Sequence, residues 1–113
     1  WKFDGFVISD YASIREMIAH GYAKDEADAT AKAVIAGSDM DMESYLYVAK
    51  LVDLVKSGKV KEALVDDAVR RILRVKFELG LFDDPYRYCD EKREKEVVGS
   101  KANNEGVFHS ISI

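Results

Sequence analysis

Gly5-Phe6-Val7-Ile8-Ser9-Asp10-Tyr11 is a short apolar run that drives into a hydroxyl, a carboxylate and an aromatic ring. Gly5 to Ser9 reads as a fully buried strand: apolar, β-branched and too brief for a helix. From Ala12 to about His20 the period becomes helical, with Ile14, Met17 and Ile18 on one side. Asp25, Glu26 and Asp28 place negative charge where a helix amino end favours it. Ala27, Ala31, Val34 and Ile35 continue that helix, and Gly37 is its stop.

Ser38-Asp39-Met40-Asp41-Met42 is brief and alternating, as a second strand would be. Glu43 to Ser57 reads as an amphipathic helix buried through Tyr45, Val48, Val52 and Val55, ended by Gly58. Asp66 is placed to cap a helix running to about Leu79, buried through Val69, Ile72, Leu73 and Val75. Gly80 closes it, and Asp83-Asp84-Pro85 breaks the chain. Strand, helix, strand, helix, helix predicts an α/β fold built from parallel βα units. A parallel sheet is covered on both faces, so two strands require others from elsewhere. A chain that opens on Trp1 in a strand approach reads as a piece of something larger.

Beyond Pro85 the character changes. Asp90 to Glu96 is a dense run of alternating charge, read as a linker or a solvated helix, and Gly99 to Asn104 as a loop. Val107 to Ile113 is apolar enough to want a partner.

The 113 residues are 48% hydrophobic and 34% charged, an ordinary globular profile for at most one small domain. A formal charge of -4 and a pI of about 5.2 disfavour nucleic acid as a partner. Arg70, Arg71, Arg74 and Lys76 form a basic stripe, but Asp66, Asp67 and Glu78 flank it. No run approaches the roughly 20 apolar residues that span a bilayer, so no membrane partner is expected. Cys89 is alone, which excludes an intrachain disulfide and a thiolate zinc site.

In parallel βα arrangements functional groups gather at the carboxyl ends of strands. Asp10 occupies such an end. A carboxylate there can be a nucleophile, a general base or a metal ligand. It can equally be no more than a cap on the following helix. Tyr11 beside it offers a face on which a sugar ring stacks, or ordinary packing. Asp39 and Asp41 do not open a calcium loop: the turn glycine would be Ser44 and the bidentate glutamate Lys50. A magnesium site shared with Asp10 is the remaining metal reading; His20 and His109 have no partner at ligand spacing, so no metal ligand is assigned, and Ser9 has no paired histidine to suggest a catalytic triad. There is no glycine-rich phosphate loop.

Three stretches then line up in order: W-K-F-D-G-F-V-I-S-D-Y, A-G-S-D-M-D-M, and A-V-R-R-I-L-R-V-K-F-E-L-G-L-F-D-D-P-Y. Together they resemble glycoside hydrolase family 3, whose members include β-glucosidases and β-xylosidases, over roughly Trp1 to Tyr88. The resemblance implies an α/β fold in which residues 1–84 are the last two βα units of a (β/α)8 barrel. Residues 85–113 would be a linker toward an α/β sandwich domain. It implies that Asp10 is the nucleophile of a retaining, exo-acting β-glucosidase, with Tyr11 and Met42 beside the sugar. The implied partners are an oligosaccharide or β-glucoside substrate and the remainder of the parent polypeptide, with no metal or organic cofactor. Tyr11 stands where the family usually has Trp. The upstream sugar ligands and the acid/base residue lie outside this chain, so the 113 residues alone are expected to be inactive. Rival readings are a β-xylosidase or β-N-acetylhexosaminidase of the same family, and a catalytically silent carbohydrate-binding or interaction module.

Overall fold

The structure, a computed structural model, describes residues 2–111, with side chains described for 2–106. His109 and the apolar run Val107–Ile113 therefore lie outside the described side chains. The chain forms two compact units, Trp1–Leu79 and Gly80–Ile113. The first holds α1 (Ser13–Ala19), α2 (Glu26–Ile35), α3 (Leu46–Lys56) and α4 (Glu62–Glu78); the second holds α5 (Glu91–Val97) and α6 (Lys101–Ile111).

α2 is the hub of the first unit. Asp25 caps it by accepting from the Asp28 N–H at 2.8 Å, while the Asp28 carboxylate accepts from the Lys24 N–H at 3.0 Å. The first bond satisfies a donor that the helix start leaves open, and the second ties the residue before the cap to the first turn. Small side chains along α2, Ala27, Ala29, Ala31 and Ala33, let its neighbours approach closely. One core cluster joins Ile14, Ala23, Ala29, Ala33 and Leu46, and a second joins Val34, Leu54 and Val60. Tyr47 packs against both. Thr30, fully buried, spends its hydroxyl on the Glu26 carbonyl at 2.7 Å.

The two expected strands shrink to one parallel bridge, Ile8 to Met40. The chains do run side by side: Asp39 and Met40 N–H donate to the Val7 carbonyl at 2.8 and 3.0 Å, and Ser9 N–H donates to the Met40 carbonyl at 3.0 Å. On either side of that bridge, side chains replace backbone acceptors. The Val7 N–H donates to Asp39 Oδ2 at 2.8 Å, and the Met42 N–H to Ser9 Oγ at 2.9 Å. A ladder made partly of side chains does not propagate as a sheet. Nor is the first segment fully buried: Val7 and Ile8 are 45% and 43% exposed.

Other boundaries shift as well. α3 starts at Leu46 rather than Glu43, because Glu43 and Tyr45 take positive φ of 72° and 59°. Of its expected inner face only Val55 packs against the core; Tyr45, Val48 and Val52 are exposed, and Leu46 and Leu54 go inward instead. α4 starts at Glu62, not at an Asp66 cap, and leaves Val69 and Leu73 exposed. Val60, almost wholly buried with Val65 packed against its cluster, pins that earlier start. In the second unit the charge run forms solvated α5, capped by Asp90. The expected loop after Gly99 is instead the start of α6, where the Asn103 and Asn104 side-chain amides satisfy the Val97 and Gly99 carbonyls.

Candidate active site

A parallel bridge puts both carboxyl ends on one edge, so the chain leaves Ser9–Tyr11 and Asp41–Met42 side by side. Met42 then straddles the aspartate turn. Its N–H donates to Ser9 Oγ at 2.9 Å, and its carbonyl accepts from the Ala12 N–H at 2.9 Å. Asp10 and Tyr11 are the residues between those two anchors. The three residues singled out from sequence, Asp10, Tyr11 and Met42, are thus brought to one edge. All three are exposed, Tyr11 at 64% and Met42 at 38%.

The turn is held through the backbone of Asp10. Its carbonyl accepts from Ser9 Oγ at 3.0 Å, Ser13 Oγ at 3.1 Å and the Ser13 N–H at 3.2 Å. Among the described residues the carboxylate accepts only from the adjacent Tyr11 N–H, through Oδ1 at 2.7 Å. It does not cap α1, whose first residues follow an Ala12 in the left-handed region with no side-chain cap. That removes the simplest structural role for the group and leaves Oδ2 open among the described residues.

The aspartates of the second turn are committed elsewhere. Asp39, 9% exposed, takes the Val7 N–H. Asp41 Oδ1 accepts from the Ser44 hydroxyl at 2.6 Å, and Oδ2 from the Leu46 and Tyr47 N–H groups at 2.9 and 3.3 Å. It therefore caps α3 from outside the helix. A cavity of about 380 Å³ opens beside this turn, lined by Asp39, Asp41, Glu43, Tyr45 and Tyr47 among others. Tyr47 donates its hydroxyl to the Ser38 carbonyl at 2.7 Å, and burial pushes its phenol up from 10.0. Among the described residues no group of three or more His, Cys, Asp or Glu side chains is arranged to hold a metal. No described helix is long and apolar enough to cross a membrane.

Positive φ at Ala12, Glu43 and Tyr45 concentrates backbone strain in the two turns at this edge. Strain of that kind persists where surroundings over-determine the conformation, as they do at functional sites. Sequence reasoning missed the structural roles of Ser9, Asp41 and Arg15 here. Asp41-x-x-Ser44 is a local hydrogen-bonding pattern that could have been found. Arg15 bonds across 29 residues and left no local signal.

Residues 1–75 match the family described as Glycosyl hydrolase family 3 N terminal domain. Over 104 residues the chain is 45% identical to the periplasmic beta-glucosidase of Salmonella typhimurium, covering 92% of this chain and 14% of that protein. It is 34% identical over 104 residues to a xylan 1,4-beta-xylosidase of Xylanibacter ruminicola, covering 91% of this chain and 12% of that one. The crystal structure of a beta-glucosidase from Listeria innocua in complex with isofagomine superposes with a TM-score of 0.76 at 42% identity, covering 79% of this chain and 12% of that one. The chain thus spans 12–14% of the length of these relatives. The chain belongs to glycosyl hydrolase family 3.

Proposed function

We propose that this chain carries the nucleophile of a retaining, exo-acting β-glucosidase, and that Asp10 is that nucleophile. The observation that carries the reading is the placement of Asp10. Its backbone is tied down by Ser9 and Ser13, the flanking residues are tied to Met42, and the carboxylate, held at Oδ1 by the Tyr11 N–H, keeps Oδ2 open among the described residues. A group meant to attack carbon needs that combination of fixed position and free lone pairs.

In the scheme, an Asp10 oxygen attacks the anomeric carbon as the glycosidic oxygen departs with a proton from an acid elsewhere in the protein. The glycosyl ester is then hydrolysed by a water that gives its proton to that same group. Tyr11 and Met42 border the bound sugar and its leaving group. The acid/base residue comes from outside these 113 residues; no glutamate of this chain is assigned the role. No metal or organic cofactor enters the scheme. We further propose that residues 1–84 are the carboxyl-terminal part of a (β/α)8 barrel and residues 85–113 a linker to the next domain. The parent polypeptide supplies the neighbours of Val7 and Ile8. The 45% identity to the Salmonella typhimurium periplasmic beta-glucosidase supports glucose as the sugar.

The test is Asp10→Ala in the full-length protein, assayed on aryl β-glucosides and β-xylosides. kcat should fall at least about 10³-fold. Added azide should restore turnover and release the α-glycosyl azide, because the small anion attacks where the carboxylate did. Activity within tenfold of the unmodified protein would reject Asp10 as nucleophile.

A further inference from the structure

We infer that Arg15 is a positioning residue for this edge, holding the Asp41–Tyr45 turn against the helix that follows Asp10. The inference rests on the reading of Asp10, Tyr11 and Met42 just given. Arg15 Nη2 donates to the Ser44 carbonyl at 2.7 Å, a charge-assisted bond from α1 into the centre of the second turn. Ser44 is 2% exposed, so that carbonyl belongs to a residue with little access to water. The turn itself carries two non-glycine residues at positive φ, Glu43 and Tyr45. Such a conformation needs external ties. Asp41 supplies one from within the turn, and Arg15 supplies one from outside it.

Arg15 is itself held. Its guanidinium lies 3.7 Å from Glu26 Oε1, and Glu26 Oε2 lies 2.9 Å from Lys50 Nζ. Glu26 on α2 thereby couples Arg15 on α1 to Lys50 on α3. These side chains are 53%, 41% and 36% exposed, so as ion pairs they add little to stability. Burial of Leu46 and its neighbours holds the helices together without them. What the charged chain adds is a fixed direction for the Arg15 fork, and through it a fixed position for the turn that bears Met42 and Tyr45. Loss of that direction should weaken ground-state and transition-state contacts alike, which raises KM more than it lowers kcat.

The experiment uses the full-length protein and compares Arg15→Met, Arg15→Lys, Glu26→Gln and Lys32→Met. Lys32→Met removes the Lys32 bonds to the Asp28 carboxylate and the Tyr22 carbonyl, neither of which belongs to the turn. On an aryl β-glucoside, KM should rise about tenfold in Arg15→Met, the size expected for one charge-assisted bond. kcat should change less than threefold. Arg15→Lys should recover part of the loss, Glu26→Gln should raise KM about threefold, and Lys32→Met should leave it unchanged. Should Arg15→Met fail to fold, Glu26→Gln carries the test. An unchanged KM in the folded Arg15 and Glu26 variants, or an equal rise in Lys32→Met, overturns the inference. A 2-fluoro glucoside label on the Asp10 peptide of the unmodified protein keeps the two readings distinct. A label elsewhere rejects the reading of the edge, and the role of Arg15 with it.

Discussion

Removing the Asp41 carboxylate should loosen α3 while leaving α2 in place. Asp41→Ala deletes the acceptor of three bonds: from the Leu46 N–H at 2.9 Å, the Tyr47 N–H at 3.3 Å and the Ser44 hydroxyl at 2.6 Å. Loss of a helix cap costs about 1 kcal/mol. Leaving the buried Ser44 hydroxyl without an acceptor costs roughly 1–2 kcal/mol more. The total of about 2–3 kcal/mol corresponds to a change of roughly 30- to 150-fold in a local opening constant. Hydrogen exchange read by mass spectrometry resolves this in a large protein, where a global midpoint does not report one helix. Amides of Leu46 to Leu51 should exchange at least about 30-fold faster in Asp41→Ala, with α2 amides changed by less than threefold. Asp41→Asn keeps one acceptor oxygen and should fall between. Unchanged α3 exchange would refute the capping argument.

Tyr47→Phe should cost about 1 kcal/mol in the same exchange experiment, through loss of the bond to the Ser38 carbonyl. It should also flatten the alkaline limb. Burial holds the folded phenol above 10.0, so as pH rises past 10.0 the unfolded chain ionises first and stability declines until the folded value is passed. The acid limb has the opposite sign. A hydrogen bond and charge from Lys50, with a smaller push from Arg15, hold Glu26 below 4.5. The Lys24 N–H and then Lys32 hold Asp28 below 3.8. Both contributions are complete above those ordinary values and are lost as pH falls through the lower folded ones. A pH series of exchange or thermal midpoints should show Glu26→Gln with a shallower loss below pH 4.5 than the unmodified protein.

Much of the helical layout was legible because its punctuation is local. Gly37, Gly58 and Gly80 all lie just past helix ends with positive φ, and Asp25 caps α2. What failed had causes distant in sequence. The start of α3 is set by a carboxylate five residues before Leu46 and by two strained residues between, not by its own apolar period. That period shows that Val48 and Val52 form a stripe, but not which neighbour exists to cover it. The strands were visible as apolar and alternating segments. Their reduction to one bridge came from Asp39 and Ser9 acting as acceptors, which no pattern of hydrophobicity encodes. At the candidate site, Asp10 stood out by its place after the apolar run, whereas Arg15 needed a 29-residue contact to acquire meaning.

The central claim is that Asp10 forms a covalent bond to sugar. Incubating the full-length protein with a 2-fluoro glucoside, digesting it and locating the adduct by mass spectrometry tests that directly. The account predicts the adduct on the peptide containing Asp10, released on reactivation with a glycosyl acceptor and missing from Asp10→Ala. An adduct on another carboxylate, in an enzyme that still cleaves β-glucosides, would contradict it.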